Sequence, residues 1–595
     1  MTLPSISQLS EIAAKTIIRF PLAILAAYAF TILAIVNNHN ENDMILGVML
    51  ASVSAFPFAL AVDVFMESKK AKSPYKFFAR LIVLAVVGAG YYYFFRHYGE
   101  WKLVDIQRFS LIQIATVALL LFAPFIGPNK ANAFWQYAVS LIVRSVLAFV
   151  FFGIFFIGIL LLLQSINYLF DAGISELYYL DVWFVLTGIF ASMFFLAGMP
   201  GNFARLEQSS AYPKFLRVLT EYFLVPLTFL YLMVLYVYAG KILVTWQWPS
   251  SEVSSWIVGF LSVGLIAYFF SYSAKEKFLH YVEFFKKWYF LMILPLVVVL
   301  GLAVGMRIKD YGITEDRYFV AAFGLWMVVM AAYYLFTKTR NLKFIPISFF
   351  VIVLLSIYGP QSAFTLSGNS QLGRLETLLV KNNMLVNGKV VKVDGSKLSN
   401  EDSGEIYSIV WYLAEYRGVG ILQPWFNEDL KEFESKDFYV DASGVLSLMG
   451  VDGNYSNYGT DVNEGLYKIF LMKSDCPQTF ESMCATSTGG YKYFVSLSVN
   501  GEDGVLPTHF FAGDKEYLVG ISDDQLLSLT TLAGEAIFSV NFKDFVKYLE
   551  EAFPLQSEIP TATMTMSFTG GMLRILQVDF YNDDLSVVVL EIMMN

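Results

Sequence analysis

Arg307-Ile-Lys309-Asp310-Tyr311-Gly312-Ile-Thr314-Glu315-Asp316-Arg317-Tyr318 separates two apolar runs, Leu291 to Met306 and Phe319 to Phe336. Each run is close to the length a helix needs to cross the ~30 Å hydrocarbon layer of a bilayer. The block between them holds six charges and two tyrosines in a connection too short to be a domain. Similar apolar runs recur on either side, up to about Gly359. Hydrocarbon offers no partner to an open backbone N–H or C=O, so these runs are expected to be helical.

Eleven spans are expected, at about 19–36, 44–66, 77–95, 108–126, 139–166, 180–199, 218–243, 253–272, 288–306, 318–336 and 343–358. The composition agrees, being 56% hydrophobic and only 15% charged. The expected fold is therefore an all-α transmembrane bundle over residues 1–358, followed by an α+β extracytoplasmic domain over 359–595. Pro226 and Pro295 fall inside spans and are expected to kink them. Trp246, Trp248, Trp256 and Trp288 fit an interfacial aromatic belt.

Orientation follows from the bias of Lys and Arg between alternate connections. The N-terminal segment and every second loop carry sixteen, among them Lys69, Lys70, Lys72, Lys76, Lys286, Lys287 and Arg340. The intervening loops carry five: Arg96, Lys102, Arg307, Lys309 and Arg317. The N-terminus is thus expected in the cytoplasm. An odd number of spans then puts the C-terminal part outside. No cleaved signal peptide is expected, since no small-residue cleavage site follows the first apolar run.

The net charge of −9 conceals a division. From Pro360 to Asn595 there are 15 Lys+Arg and 32 Asp+Glu, giving 15 − 32 = −17, while the remainder carries 26 − 18 = +8. So acidic a tail argues against a nucleic-acid partner. The two cysteines, Cys476 and Cys484, both lie in this tail, and their closeness favours a disulfide in an oxidising compartment. Two separate buried thiols are the alternative.

Within the tail, Ser370 to Asn382 and Ser399 to Tyr416 have the apolar spacing of amphipathic helices. Ser399 is placed to cap the second, and Gly418 and Gly420 to end it. Alternation at Tyr491 to Val499, Tyr517 to Ile521, Thr563 to Phe568, Met572 to Phe580 and Leu585 to Ile592 indicates strands of a mostly antiparallel sheet. A helix over Phe542 to Phe553 interrupts them.

The central block resembles that of the bacterial membrane proteins carrying domain of unknown function 4153 (DUF4153). The resemblance is carried by Arg307 to Phe319, then Gly324-Leu-Trp326, Tyr358-Gly-Pro360-Gln-Ser-Ala-Phe364 and Ser370-Gln371-Leu-Gly-Arg374-Leu-Glu376. Tyr238-Ala-Gly-Lys241 and Trp246-Gln-Trp248-Pro249 also fit. The clear match runs from about Leu219 to Leu379. It implies a multi-span bacterial membrane protein and no reaction; the bacterial inner membrane, with the N-terminus inside, is the expected location.

Arg307, Lys309, Asp310, Tyr311, Glu315, Asp316 and Arg317 are the principal site candidates. Gly312 permits a tight turn, and Glu315 and Asp316 fall where the next helix's dipole favours carboxylates. Arg307, Lys309 and Arg317 are expected either to pair with those carboxylates, docking the tail onto the bundle, or to hold an anionic head group. Asp63, Arg144, Glu221 and Lys241 lie within spans, where ionisable groups are costly, but all sit near an interface. No His, Cys or carboxylate set has metal-ligand spacing, and no phosphate-binding glycine loop occurs, so no metal or cofactor is expected. Three functions remain open. The first is an envelope binding or scaffold protein that contacts membrane lipids and, through its outer domain, a protein partner. The second is a transporter or channel. The third is a membrane enzyme acting on a lipid-linked substrate, with Glu315 or Asp316 as acid or base.

Overall fold

The computed structural model describes residues 5–451, apart from 41, 128–129, 210–211, 246–250, 273–277, 338–339, 394–397 and 435–441. Beyond 451 it describes the strands and a few residues beside them. The chain forms two compact units, Met1–Thr460 and Asp461–Asn595.

In the first unit a short amphipathic helix, α1 (Ile6–Arg19), begins with a capping box in which Ser5 and Gln8 satisfy each other's backbone N–H. Phe20 breaks the helix and Pro21, which has no N–H to lose, starts the next. Then follow α2 (Pro21–His39), α3 (Asp43–Ser68), α4 (Ser73–Tyr93), α5 (Leu103–Phe122) and α6 (Ala131–Phe170). They continue as α7 (Leu177–Ala197), α8 (Lys214–Ile242), α9 (Ser254–Phe270), α10 (His280–Tyr311), α11 (Glu315–Phe336) and α12 (Phe344–Ile357). Nine of these helices, among the described residues, are long and apolar enough to cross a membrane, while α9 and α12 are shorter. All eleven stand where apolar runs are expected, so the bundle is that of a multi-pass membrane protein.

Packing explains the order. α2 packs closely along α3, and the two bury Ala23, Ala26, Ala27, Ala34, Ala51 and Ala59, small side chains of the kind that let backbones approach where no hydrophobic drive separates protein from lipid. Buried aromatics turn their polar atoms onto backbone carbonyls: Trp135 Nε1 donates to Phe269 O at 3.0 Å and Tyr289 OH to Leu261 O at 2.9 Å. Outside the core the rule reverses. α6 presents Phe149, Ile154, Phe155, Leu161 and Leu162 on its surface, an apolar face suited to hydrocarbon rather than water.

Both expected prolines interrupt their helices. Pro295 follows a break at Ile293 that divides α10 into His280–Met292 and Leu294–Tyr311. Pro226 follows a π-helical turn, Leu219–Leu224, within α8. Its missing N–H and its ring prevent the ordinary i to i−4 bond there. A second π turn, Leu186–Ala191, lies in α7.

Two further helices complete the part that bears on the site: α13 (Ala363–Lys381) and α14 (Asn400–Arg417). Ser399 Oγ caps α14 by accepting from Asp402 N–H. Between them, β1 (Leu385–Val386) and β2 (Lys389–Val390) form a hairpin turned by Asn387 and Gly388, both at positive φ. Leu375 and Leu379 of α13 pack with Ile406, Val410 and Leu413 of α14.

The second unit contains β-strands. Gly571–Tyr581 pairs antiparallel with Asp584–Met594, which pairs antiparallel with Tyr493–Asn500. Thr508–Ala512, Lys515–Ile521, Leu526–Thr531 and Ala536–Asn541 form a four-stranded antiparallel meander. Cys476 and Cys484 lie outside the described residues, as does most of the expected helix at 542–553.

Candidate functional site

The central block is a turn clasped by α13. α10 ends at Tyr311 and Gly312 follows at φ +72°, a conformation that favours glycine. A Cβ there would stand 2.7 Å from Arg374 Cδ and 2.9 Å from Ser370 Oγ, so the close approach also requires glycine. Ile313 N–H donates to Ser370 Oγ at 2.9 Å. Gln371 Nε2 donates to the carbonyls of Tyr311 and Ile313, each at 3.0 Å. Arg374 Nη1 reaches Tyr311 O at 2.5 Å, and Arg317 Nη1 reaches Tyr311 O and Gly312 O at 3.1 Å. These donors satisfy carbonyls that the end of α10 leaves open. Ser370, Gln371 and Arg374 share one helix face because they are spaced by three and four residues.

One turn further on, Glu315 opens α11 and is 1% exposed. Its Oε1 accepts from Arg417 Nη2 and from Ser367 Oγ, both at 2.6 Å, and its Oε2 accepts from Tyr412 OH. Arg417 Nη2 also donates to Phe364 O at 2.6 Å and to Ser367 Oγ at 2.7 Å. Gly368 makes room for the guanidinium, since a Cβ there would lie 3.0 Å from Arg417 Cζ. Both carboxylate oxygens therefore have partners, which a buried charge requires. Burial pushes the Tyr412 hydroxyl well above its ordinary pKa, and the charge and hydrogen bond of Glu315 push it further, so it stays a donor. Two ion pairs continue along α13 and α14: Arg374–Glu405 at 3.4 Å, and Lys381–Asp402 at 2.7 Å, in which the lysine is exposed and the carboxylate is buried.

The structure adds partners from outside the block. Glu315 meets Arg417, 102 residues away. A carboxylate at the buried start of α11 faces α13 and α14, and Arg317, two residues on, points off that face and back to α10. Lys309, Asp310 and Asp316 are exposed, Tyr311 is half-exposed, and Arg307 is half-buried. Arg417, Tyr412 and Ser367 are additions from the structure. Only the helical spacing of Ser399 to Tyr416 hinted that α14 had a face to bury.

The polar groups within spans divide by partner. Asp63 is 4% exposed and accepts from Arg80 Nε at 2.9 Å. Beside it, Arg19 holds Glu67 through two 2.8 Å bonds and also caps the carbonyls of Met199 and Pro200. Glu221 lies buried in the π turn of α8 beside Arg217 Nε at 3.4 Å. Arg144 and Lys241 are on the surface, the stem of Arg144 lying across Gly198. A buried lysine not anticipated from the sequence, Lys343, donates to Phe125 O and Gly127 O.

An apolar helical bundle with ion pairs tucked among its helix ends defines a multi-pass membrane protein. This chain matches the family described as "Domain of unknown function (DUF4153)" over residues 12–372 and belongs to that family. The match begins in α1 and ends inside α13, so it takes in the central turn, Ser370 and Gln371, and stops short of Arg374 and Arg417. A curated relative, "Uncharacterized protein PM1469" of Pasteurella multocida (strain Pm70), is 23% identical over 269 residues, 45% of this chain and 46% of the relative. The chain thus spans about half the length of that relative. No solved structure matches.

Proposed function

We propose that this is a binding or scaffold protein of the bacterial inner membrane. Its N-terminus is cytoplasmic, its bundle is the anchor, and its acidic residues 359–595 are held outside to meet an envelope partner. The observation that carries this reading is the burial of Glu315. A carboxylate that is 1% exposed and bonded to Arg417, Ser367 and Tyr412 serves as a fastening between helices, and no substrate has access to it as an acid or base. The sixteen-to-five bias of Lys and Arg between alternate loops supports the orientation. The charge of −17 on the tail favours a partner with a basic face.

Cross-linking of the full-length protein in intact cells, followed by mass spectrometry, tests the reading. Cross-links from residues 359–595 to another envelope protein are expected. Saturable solute flux through proteoliposomes, with cross-links confined to the bundle, would replace a scaffold with a transporter. Glu315→Gln is expected to lower stability while leaving cross-linked partners unchanged at temperatures where it stays folded.

A further inference from the structure

A cavity of about 430 Å³ lies between the end of α5, α11 and the start of α12. That is within the ~300–1,000 Å³ typical of small-molecule sites. Phe122, Tyr333, Phe344 and Ile347 supply apolar wall, and Asn341 and Lys343 supply a polar end. Lys343 is 4% exposed although it carries an ammonium. It donates to Phe125 O at 3.0 Å and Gly127 O at 3.2 Å, while Lys69 Nζ donates to Ile126 O at 2.5 Å. Two cations therefore converge on three consecutive carbonyls at one end of an otherwise oily hollow. A second hollow of about 280 Å³, lined by Leu111, Phe319, Phe323, Phe349 and Val353, lies along the same three helices towards their other ends. Among the described residues, side chains thus leave this seam incompletely filled at both ends.

We propose that the seam between α5, α11 and α12 binds an anionic phospholipid of the surrounding leaflet, with its phosphate at Lys343 and Lys69 and an acyl chain against Phe122, Phe344 and Ile347. The shape of the site favours a lipid over a free anion, because a lone phosphate gains nothing from the aromatic wall. Two ammoniums favour an anionic headgroup over a zwitterionic one, since a choline would bring a third positive charge beside them. Lysine suits the task, being a compact point charge on a flexible stem. The proposal stands apart from the clamp at Glu315 and survives if that reading fails.

Native mass spectrometry of the full-length protein, with phosphatidylglycerol or phosphatidylcholine added to the micelles, is the test. Selective retention of phosphatidylglycerol is expected. Lys343→Gln, which removes one charge, and Ile347→Trp, which fills the cavity and leaves both lysines, should each weaken retention about tenfold. Lys69→Gln, at an exposed lysine, guards against misfolding of the other two and should weaken it several-fold. In the unaltered protein, phosphatidylglycerol should raise the melting temperature where phosphatidylcholine does not. Equal retention of the two lipids, indifference to all three substitutions, or equal effect from inorganic phosphate would each overturn the proposal.

Discussion

Glu315 gains a little from the dipole of α11, but desolvation of a fully buried carboxylate far exceeds that gain unless a cation meets it. Arg417 is that cation, and Ser367 and Tyr412 fill the remaining acceptor positions. Arg417→Ala should therefore destabilise the protein by about 3–5 kcal/mol, because it strands a buried charge. Adding Glu315→Gln to Arg417→Ala should recover part of that loss. Denaturant unfolding in detergent, run as a double-mutant cycle, reads both effects, and an Arg417→Ala protein as stable as the parent would refute the clamp. Asp402 gives a pH dependence. Its hydrogen bond from Lys381, and bonds from Asn382 and Ser399, hold its carboxyl below the usual carboxylate range despite burial. A depressed pKa means its stabilisation is complete above the unfolded value of about 4 and fades as pH falls through the lower folded value. Lys381→Met should flatten the acid limb of a melting-temperature profile below about pH 4 and leave the neutral region nearly unchanged.

At the scale of elements, the spans were readable because hydrocarbon forces one backbone solution and length fixes its extent. All eleven apolar runs became helices, and the two prolines disturbed theirs, Pro295 at a break and Pro226 beside a π turn. How the helices meet was another matter. Gly188, in the π turn of α7, touches α2 so closely that a Cβ would lie 1.9 Å from Thr31 Oγ1 and 3.0 Å from Ala27 O. Gly188→Ala should cost about 1–3 kcal/mol by forcing α2 and α7 apart, and Thr31→Ala should relieve part of it. Thermal unfolding of the single and double variants measures the difference; additive losses would mean that the two side chains do not meet. The clasp of α13 on the central turn is similar in kind. Gly312, Ser370 and Gln371 lie within the family match, and Arg374 stands just beyond it. Their contact was not legible there, because the pattern records which residues recur and not which atoms touch.

For the whole molecule, the proposed topology makes a chemical statement about Cys476 and Cys484. If residues 359–595 are outside, both cysteines fold in an oxidising compartment. They should then resist a maleimide added to denatured, unreduced protein and react after reduction. Labelling of both without reductant would argue against the disulfide and weaken the outward placement of the tail. By itself the sequence determined that this chain is a bundle of membrane-crossing helices followed by an acidic segment, and it marked the central block as unusual. Composition and run length suffice for that, since burying twenty apolar residues in lipid outweighs any local preference. Only the tertiary structure decided what the block touches. The partner of Glu315 lies 102 residues away on another helix, and a pairing so distant follows from how α11, α13 and α14 pack rather than from any spacing along the chain. Lys343 teaches the same lesson. In sequence it is one more charge at the end of a span, and three converging helices place it at the polar end of an apolar cavity.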